Sequence, residues 1–317
     1  MAHVPKNPAI ALRDGVSPSC VALPRMRQPA WATVLDFLAA RLPRVDRDEW
    51  LQRMTHGDVV GEDGLPLPPH TPYLNGQRVY YWRALAQEAV IPFEASVVYR
   101  DAHLVVADKP HFLPVTPGGR YVQQSLLVRL KRELGIPDLS PLHRIDRETA
   151  GLVVFSVRPA DRDAYQRLFR ERRVHKTYEA IAPAADGFEA PVIRQSHIRE
   201  CEDAFFKMRE TEPHEGLAPN SETRIALLER HGPWARYRLQ PVTGKRHQLR
   251  VHMNGLGLPI VGDQFYPIVQ KAPGDAEDYA EPLRLLAQAI AFDDPITGER
   301  RSFQSGQHLS WPTGLPG

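Results

Sequence analysis

Segments with the pattern of β-strands dominate the chain from residue 97 onward, and they constrain its fold more than any other feature. Val97–Arg100 and Leu104–Ala107 lie three residues apart and predict a hairpin. Gly151–Val157 is strongly apolar, whereas Val174–Ala182 and Trp234–Leu239 alternate apolar and polar residues. Because few of these strands belong to βαβ units, the sequence predicts an α+β fold with a mainly antiparallel mixed sheet.

Two helices are predicted among these strands. Asp161–Arg172 has apolar residues at helical spacing, with basic residues on its other faces. Thr243–Gly255 has the pattern of a capped helix that Gly255 or Gly257 stops.

The chain has 317 residues, which favours two domains. Residues 1–30 contain five prolines without periodicity and predict an extended tail. Residues 31–85 are expected to form a small N-terminal α/β unit, and residues 86–317 one large domain.

The predicted small unit contains two short helices. Apolar residues from Val34 to Leu42 recur at helical spacing, and a second helix is expected over Asp48–Met54 with Asp46 or Asp48 as its cap. The unit resembles an S4 RNA-binding domain in outline, a helix pair before a strand. However, residues 31–83 carry six arginines, no lysine and seven acids, which is a poor balance for binding phosphates. Both the S4-like fold and RNA binding by this unit are left open.

The composition excludes several classes of protein. Hydrophobic residues make up 42% and charged residues 25% of the chain, values typical of globular proteins rather than of disordered or collagen-like chains. No apolar run reaches the roughly 18 residues of a membrane span. Two cysteines are too few for a disulfide framework, and no signal-peptide core is apparent. We therefore expect a soluble, cytoplasmic protein.

The net charge of +2 hides an uneven distribution. Seven basic residues and three acids lie between Arg158 and Lys176, and further basic clusters surround Arg129 and Arg246. Acids gather in the small unit and near residue 278. This polarity predicts a polyanionic partner.

The segment most suggestive of chemistry is His143–Leu152, a charged loop that leads directly into the apolar strand at residue 151. Such a loop places its carboxylates at the mouth of a rigid strand, where functional residues are often found.

Five segments, in order, resemble the motifs of one family: Asp108–Val115, His143–Leu152, His175–Tyr178, Pro241–His252 and Gly257–Asp263. The corresponding patterns are NKP-x-G-L-x-V, HRLD-x-x-T-S-G-L, K-x-Y, P-x-T-G-R-T-H-Q-I-R-V-H and G-x-P-I-x-G-D. They are those of the RluA-type pseudouridine synthases, and the resemblance covers roughly residues 95–310.

The chain departs from these patterns at several positions. Ile145 and Ala150 replace leucine and serine, and Lys245 replaces arginine. His111-Phe112 stands where the family tends to have a small residue and glycine, so the upstream turn is expected to differ. A histidine common in the family near the C-terminus is absent from residues 285–288.

The resemblance implies an isomerase that converts specific uridines to pseudouridine in structured RNA, ribosomal or transfer RNA or both, bound in a central cleft. The reaction breaks and re-forms a glycosidic bond without oxidation or an energy source, so neither a cofactor nor a metal is expected. We expect no membrane association and a monomer. Neither the target uridine nor the route, by a nucleophile or through a glycal, is predicted.

The resemblance also assigns roles to residues. Asp146 is the expected catalytic carboxylate, Arg250 its ion-pair partner and Tyr178 the ring that stacks on the flipped base. Arg144, two residues before Asp146, would point to the same side of an extended segment and could fill the space left by the flipped nucleotide. The remaining expected substrate contacts are His143, Lys176, Lys245, Arg246, His247 and Leu249.

Two alternatives stay open. Asp146 and Glu148 form a nominal carboxylate pair of the kind used by glycoside hydrolases, although the basic surroundings suit a polyanion better. A non-catalytic RNA-binding protein of the same fold is the second alternative.

Overall fold

The computed structural model describes residue 7 and residues 10–43, 45–83, 88–188, 190–204, 206–270, 275 and 278–313. The chain divides into two units. The smaller combines Met1–Ala89, Gly118–Gln123 and Val128–Pro137, and the larger combines Val90–Pro117, Gln124–Leu127 and Asp138–Gly317. These groupings differ from the predicted boundaries at residues 30 and 85.

The smaller unit is a helix pair with a short antiparallel sheet. Its elements are β1 (Ser19–Ala22), α1 (Val34–Arg41), α2 (Arg47–Thr55), β2 (Val59–Val60) and β3 (Arg78–Tyr81), with strand order β1-β3-β2. Both predicted helices are confirmed. The Thr33 hydroxyl caps α1 by accepting from Asp36 N at 3.1 Å, and the Asp46 carboxylate caps α2 by accepting from Glu49 N at 2.7 Å.

Part of the predicted tail is a strand instead. Ser19 pairs with Tyr81 and Ala22 with Arg78, so β1 is an edge strand of the small sheet. Leu23, which follows it, is 1% exposed and packs in the core with both helices. No sequence pattern predicted this strand, because four residues between prolines are too few for a periodic pattern.

The larger unit is built on one extended sheet. Its strands are β4 (Ser96–Arg100), β5 (Leu104–Lys109), β6 (Ser140–Pro141), β7 (Ala150–Ser156), β8 (His175–Pro183), β9 (Val192–Ser196), β12 (Ser221–His231), β13 (Trp234–Pro241), β14 (Leu285–Asp293) and β15 (Arg300–Gln304). The order is β4-β5-β7-β14-β8-β13-β12-β9, with β15 on β14 and β6 on β7. The described pairings are antiparallel except that of β7 with β14. The predicted α+β class with a mainly antiparallel mixed sheet is thereby confirmed.

Other elements complete the description. β10 (Ile198–Glu200) and β11 (Met208–Glu210) form a separate hairpin, and the helices are α3 (Leu126–Leu134), most of which groups with the smaller unit, α4 (Arg162–Arg170) and α5 (Gln248–Gly255). No helix among the described residues is long and apolar enough to cross a bilayer.

The predicted helix over Thr243–Gly255 begins five residues late. The hydroxyl of Thr243 accepts from Glu222 N at 2.9 Å and donates to Gln248 Oε1 at 2.7 Å, which also accepts from Lys245 N at 3.0 Å. These bonds hold the segment before α5 in a non-helical turn. The turn ends at His247, whose φ of 53° lies in the left-handed region.

The upstream turn, which the sequence predicted to differ from the family pattern, differs in its residue but has a backbone conformation that favours glycine. Phe112 replaces the family's glycine and still has a φ of 66°, a left-handed conformation that costs a bulky residue about 1–2 kcal/mol. Its ring is 6% exposed and contacts Phe93 and Tyr279, with centroids at 5.8 and 5.1 Å. The turn therefore keeps a glycine-like backbone, and aromatic packing offsets its strain.

The β7–β14 junction depends on glycine. Gly151 has a φ of 107°, and a Cβ there would lie 2.3 Å from the carbonyl oxygen of Ala287 on β14. This close approach joins the two parallel strands directly after the charged loop, so it fixes where that loop ends.

Gly151→Ala should therefore lower the free energy of unfolding by at least about 3 kcal/mol, because strand separation adds to the strain of a positive φ. Gly298→Ala is the matched control, since Gly298 has a φ of 77° but no atom within 4 Å of the added carbon. Urea unfolding of both variants measures the difference. Equal losses would contradict a steric role for Gly151.

Candidate active site

Asp146 lies in the loop between β6 and β7, where Thr149 N donates to its carbonyl oxygen at 3.2 Å and closes a turn. Its side chain is 27% exposed, the most open of the charged groups that meet here. Arg250 Nη1 on α5 donates to Asp146 Oδ2 at 3.2 Å. The structure thus brings together the two residues that the sequence predicted as an ion pair.

A second carboxylate holds Arg250. Its Nε and Nη2 donate to the two oxygens of Asp263 at 2.7 and 2.6 Å, a bidentate pair in which both side chains are 1% exposed. Oδ1 of Asp263 also accepts from the backbone N–H groups of Phe265 and Tyr266 at 2.9 and 3.2 Å. The guanidinium is consequently fixed before any substrate binds.

Asp146 is held in its charged form. Burial raises the pKa of this carboxyl group, but the charges of His247 and Arg250 and the hydrogen bond from Arg250 outweigh burial and lower the pKa below its usual value. Burial lowers the pKa of His247 itself, so that histidine is neutral near pH 7. Arg250 is therefore the cation that keeps Asp146 ionised at neutral pH.

His247 faces Asp146 from the start of α5. Its Nε2 lies 4.0 Å from Asp146 Oδ2, and its Nδ1 lies 3.1 Å from the hydroxyl of Tyr266. The ring stacks on Phe265 at an interplanar angle of 24°. The structure thus places this predicted substrate contact beside the carboxylate.

Tyr178 and Lys176 on β8 line a small cleft together with apolar residues of β7 and β14: Leu152, Ala287, Ala289 and Ile290. Burial and the charge of Asp146 both raise the pKa of the Tyr178 phenol, which therefore stays protonated. Burial lowers the pKa of Lys176. The phenol ring of Tyr178 thus forms part of the wall of this cleft.

His143 lines the same cleft but is engaged within the protein. Its Nε2 accepts from Val154 N–H at 3.2 Å, and its ring stacks on Phe169 at 23°. Burial, and to a lesser extent the charge of Lys176, lowers its pKa to about 3, so the ring is neutral. These contacts give it a structural part in holding the loop.

The other predicted contacts are spread around the site. Leu249 is 8% exposed and belongs to the core cluster against which Tyr178 packs. Arg246 donates to the carbonyl oxygen of Phe206 at 2.7 Å. Arg144 and Lys245 are exposed, and their side chains have no partner within the described part of the chain.

Two further residues were not predicted as part of the site. Asp263 lay within a matched motif, but nothing in the sequence linked it to Arg250. Lys109 is fully buried, and its Nζ donates to the carbonyl oxygens of Pro110 and Arg147 at 2.9 and 3.0 Å. Burial lowers the pKa of Lys109 to about 7 despite the opposing charges of Glu148 and Asp146.

Among the described residues, no group of three or more His, Cys, Asp or Glu side chains is placed to hold a metal ion. His252 illustrates why: its two nitrogens lie 2.9–3.0 Å from the hydroxyls of Ser196, Ser221 and Thr223.

Comparison with known proteins gives a consistent result. The pattern of the family described as RNA pseudouridylate synthase matches residues 103–255. A protein named uncharacterized RNA pseudouridine synthase from Synechocystis is 31% identical over 240 residues, 74% of this chain and 79% of the relative. The dual-specificity RNA pseudouridine synthase RluA of Haemophilus influenzae is 34% identical over 219 residues, 66% of this chain and 91% of the relative.

Solved structures are similar as well. Human RNA Pseudouridylate Synthase Domain Containing 4 matches with a TM-score of 0.51 and 26% identity, covering 68% of this chain and 88% of that one. Human RNA Pseudouridylate Synthase Domain Containing 1 matches with a TM-score of 0.56 and 24% identity, covering 70% and 86%, and indicates a shared fold.

The buried Lys109 predicts a dependence of stability on pH. Above pH 7 the folded chain loses this proton, whereas an unfolded lysine keeps it up to about 10.5. The free energy of unfolding should therefore rise with pH between these values, with Lys109 contributing up to about 1.4 kcal/mol per pH unit. Urea unfolding at pH 7, 8 and 9 should show a smaller slope in Lys109→Met, and the exposed Lys245→Met is the control. Parallel curves for Lys109→Met and the wild type would contradict the prediction.

Proposed function

Since the chain belongs to the RluA-type family of RNA pseudouridine synthases, we propose that Asp146 is the carboxylate that carries out its reaction. The observation that supports this most is the chain of contacts from Asp263 through Arg250 to Asp146. In this chain Asp146 is the ionised and partly exposed carboxylate, and the buried guanidinium of Arg250 holds it in place. Either a nucleophile at C1′ or a base at C2′ of the ribose requires a carboxylate in this state.

The proposed reaction is balanced without a cofactor. The N1–C1′ bond of uridine breaks, the base turns, and a C5–C1′ bond forms, while the proton leaves C5 and N1 gains one. No electron is gained or lost overall. Asp146 stabilises the reacting sugar, and Arg250 keeps it charged while the RNA excludes water.

The target base must leave its helix to reach Asp146. We assign to Tyr178 the stacking of this base, because its uncharged phenol ring lines the cleft. The ring also lies close enough to Asp146 for the charge of that carboxylate to raise the pKa of the phenol. Arg144 is exposed, lies two residues from Asp146 and is proposed to fill the gap in the RNA. Lys176, Lys245 and Arg246 are proposed phosphate contacts.

The substrates are proposed to be structured ribosomal or transfer RNA in the cytoplasm. The basic run from Arg158 to Lys176 supports a polyanionic substrate at the larger unit. For the smaller unit we propose an S4-like fold, on the helix pair that precedes β2. Residues 31–83, which contain both helices, carry seven acids against six arginines, and this balance favours a part in target choice over the main phosphate contact.

The contacts of Glu148 argue against the glycoside hydrolase alternative. Its carboxylate accepts from Arg147 Nε at 2.9 Å and is 14% exposed. A second catalytic carboxylate would need to face the sugar. The relatives that the chain matches are named RNA pseudouridine synthases, which argues against the non-catalytic alternative.

Asp146→Asn should lower the rate of pseudouridine formation by at least about 100-fold, since an amide is neither a nucleophile nor a base. Carbodiimide mapping of total RNA from cells that lack the chain identifies the target as a lost signal. Re-expression of the wild type should restore that signal, whereas Asp146→Asn should not. Asp163→Asn changes an exposed carboxylate on α4 and should restore it fully. Restoration by Asp146→Asn would overturn the assignment.

Tyr178→Ala should weaken RNA binding by about 1–3 kcal/mol, the value of stacking one base on an aromatic ring. The Kd is best measured in the Asp146→Asn background, so that turnover does not interfere. Tyr178→Phe keeps the ring and should keep the affinity. If both variants bind as tightly as the parent, Tyr178 does not stack on the base.

A further inference from the structure

The position of His247 is set by the turn before α5. Its left-handed φ of 53° directs the imidazole inward, where it is 7% exposed and stacks on Phe265. One nitrogen, Nδ1, faces Tyr266, and the other, Nε2, faces Asp146. Which nitrogen carries the proton therefore decides what the ring presents to the active site.

The hydroxyl of Tyr266 determines this tautomer. It accepts from Met208 N–H at 2.9 Å and lies 3.0 Å from the carbonyl oxygen of the same residue. Met208 is opposite Glu200 in the β10–β11 ladder, next to the hydrogen-bonded pair of Cys201 and Lys207, so its polar groups point away from β10. Because a buried carbonyl needs a donor, the single proton of the hydroxyl goes to Met208.

Nδ1 of His247 must then be the donor to Tyr266. The hydroxyl has no second proton to give, and its remaining lone pair faces Nδ1 at 3.1 Å. In the neutral ring the proton is on Nδ1, and Nε2 carries a lone pair. The active site thus contains two acceptors, Nε2 and Asp146 Oδ2, which face each other at 4.0 Å.

Two acceptors cannot form a hydrogen bond with each other, so we expect the substrate to supply the donor. Burial of His247 opposes its protonation, so the ring does not supply a proton itself. If Asp146 acts at C1′ or C2′, the donor closest to it on the nucleotide is the 2′-hydroxyl, on the carbon next to C1′. The imide N3–H of uracil is two bonds beyond N1 and lies on the base side.

We propose that Nε2 of His247 accepts a hydrogen bond from the 2′-hydroxyl of the target uridine and so selects ribose over deoxyribose at the active site. This assignment rests on the proposed role of Asp146 at the sugar. Tyr266 is the positioning residue, since its bond to Nδ1 keeps Nε2 unprotonated.

Two variants separate the nitrogens of His247. His247→Asn keeps an amide N–H near Nδ1, tolerates the left-handed backbone and removes the acceptor at Nε2. His247→Gln instead places a carbonyl oxygen near Nε2. The substrate is a stem-loop RNA that carries the mapped target, made with uridine or with 2′-deoxyuridine at that position.

The preference of the wild type for uridine, as a ratio of kcat/KM values, should fall about 3- to 10-fold in His247→Asn, the effect of one hydrogen bond. His247→Gln should keep most of the preference, and the tautomer of the His247 ring tests the proposal if the asparagine variant does not fold. An unchanged preference in His247→Asn, or its complete loss in His247→Gln, would overturn the proposal.

A spectroscopic measurement checks the tautomer without RNA. The ¹⁵N NMR signals of the His247 ring in the free enzyme should show Nδ1 protonated and Nε2 bare, and Tyr266→Phe should mix the two forms. Protonation on Nε2 would also overturn the proposal. Failure of the proposed function is distinguishable, because Asp146→Asn would then stay active whatever the state of His247.

Discussion

The buried guanidinium of Arg250, shared between two carboxylates, is the interaction on which the larger unit depends. Removing a guanidinium and a carboxylate from water costs several kcal/mol for each ion, and only close, multiple hydrogen bonds recover it. The bidentate contact with Asp263, together with two backbone N–H groups, supplies those bonds. Asp263 therefore balances the charge of Arg250 and orients its guanidinium, independently of the contact with Asp146. Asp146, the proposed catalytic carboxylate, thus has a cationic neighbour whose charge Asp263 already balances.

The strand order of the larger unit brings these three residues together. Asp146 precedes β7, Arg250 lies on α5, and Asp263 follows the turn after that helix. Residues 104 positions apart in sequence meet because β7 and β8 both pair with β14. The glycine at 151 lets β14 approach closely enough for the loop to end where Arg250 can reach it.

Local patterns in the sequence predicted about half of the regular elements. The hairpin β4–β5, the capped helices α1 and α2 and the strand β7 follow from periodicity and turn residues. Strand β1 and the late start of α5 did not, because they depend on partners distant in sequence, Tyr81 and Glu222. Asp146, Tyr178 and Arg250 came from the family resemblance. Asp263 and Lys109 were missed as site residues because burial and pairing decide their part, and a sequence shows neither directly.

The division of tasks between the two carboxylates has a consequence for how such a protein can evolve. Folding needs Asp263, because without it a buried cation would face only one partly exposed partner. Asp146 contributes less to folding, since without it the pair of Arg250 and Asp263 is still neutral and keeps its two hydrogen bonds, and Arg250 loses only the bond from Nη1. With Asp146 in its proposed catalytic role, a mutation at residue 146 would abolish the reaction and leave most of the scaffold's stability. On the proposed roles, one substitution separates the chain from a stable protein that binds RNA without reacting, a short path from an enzyme to a pure binding protein.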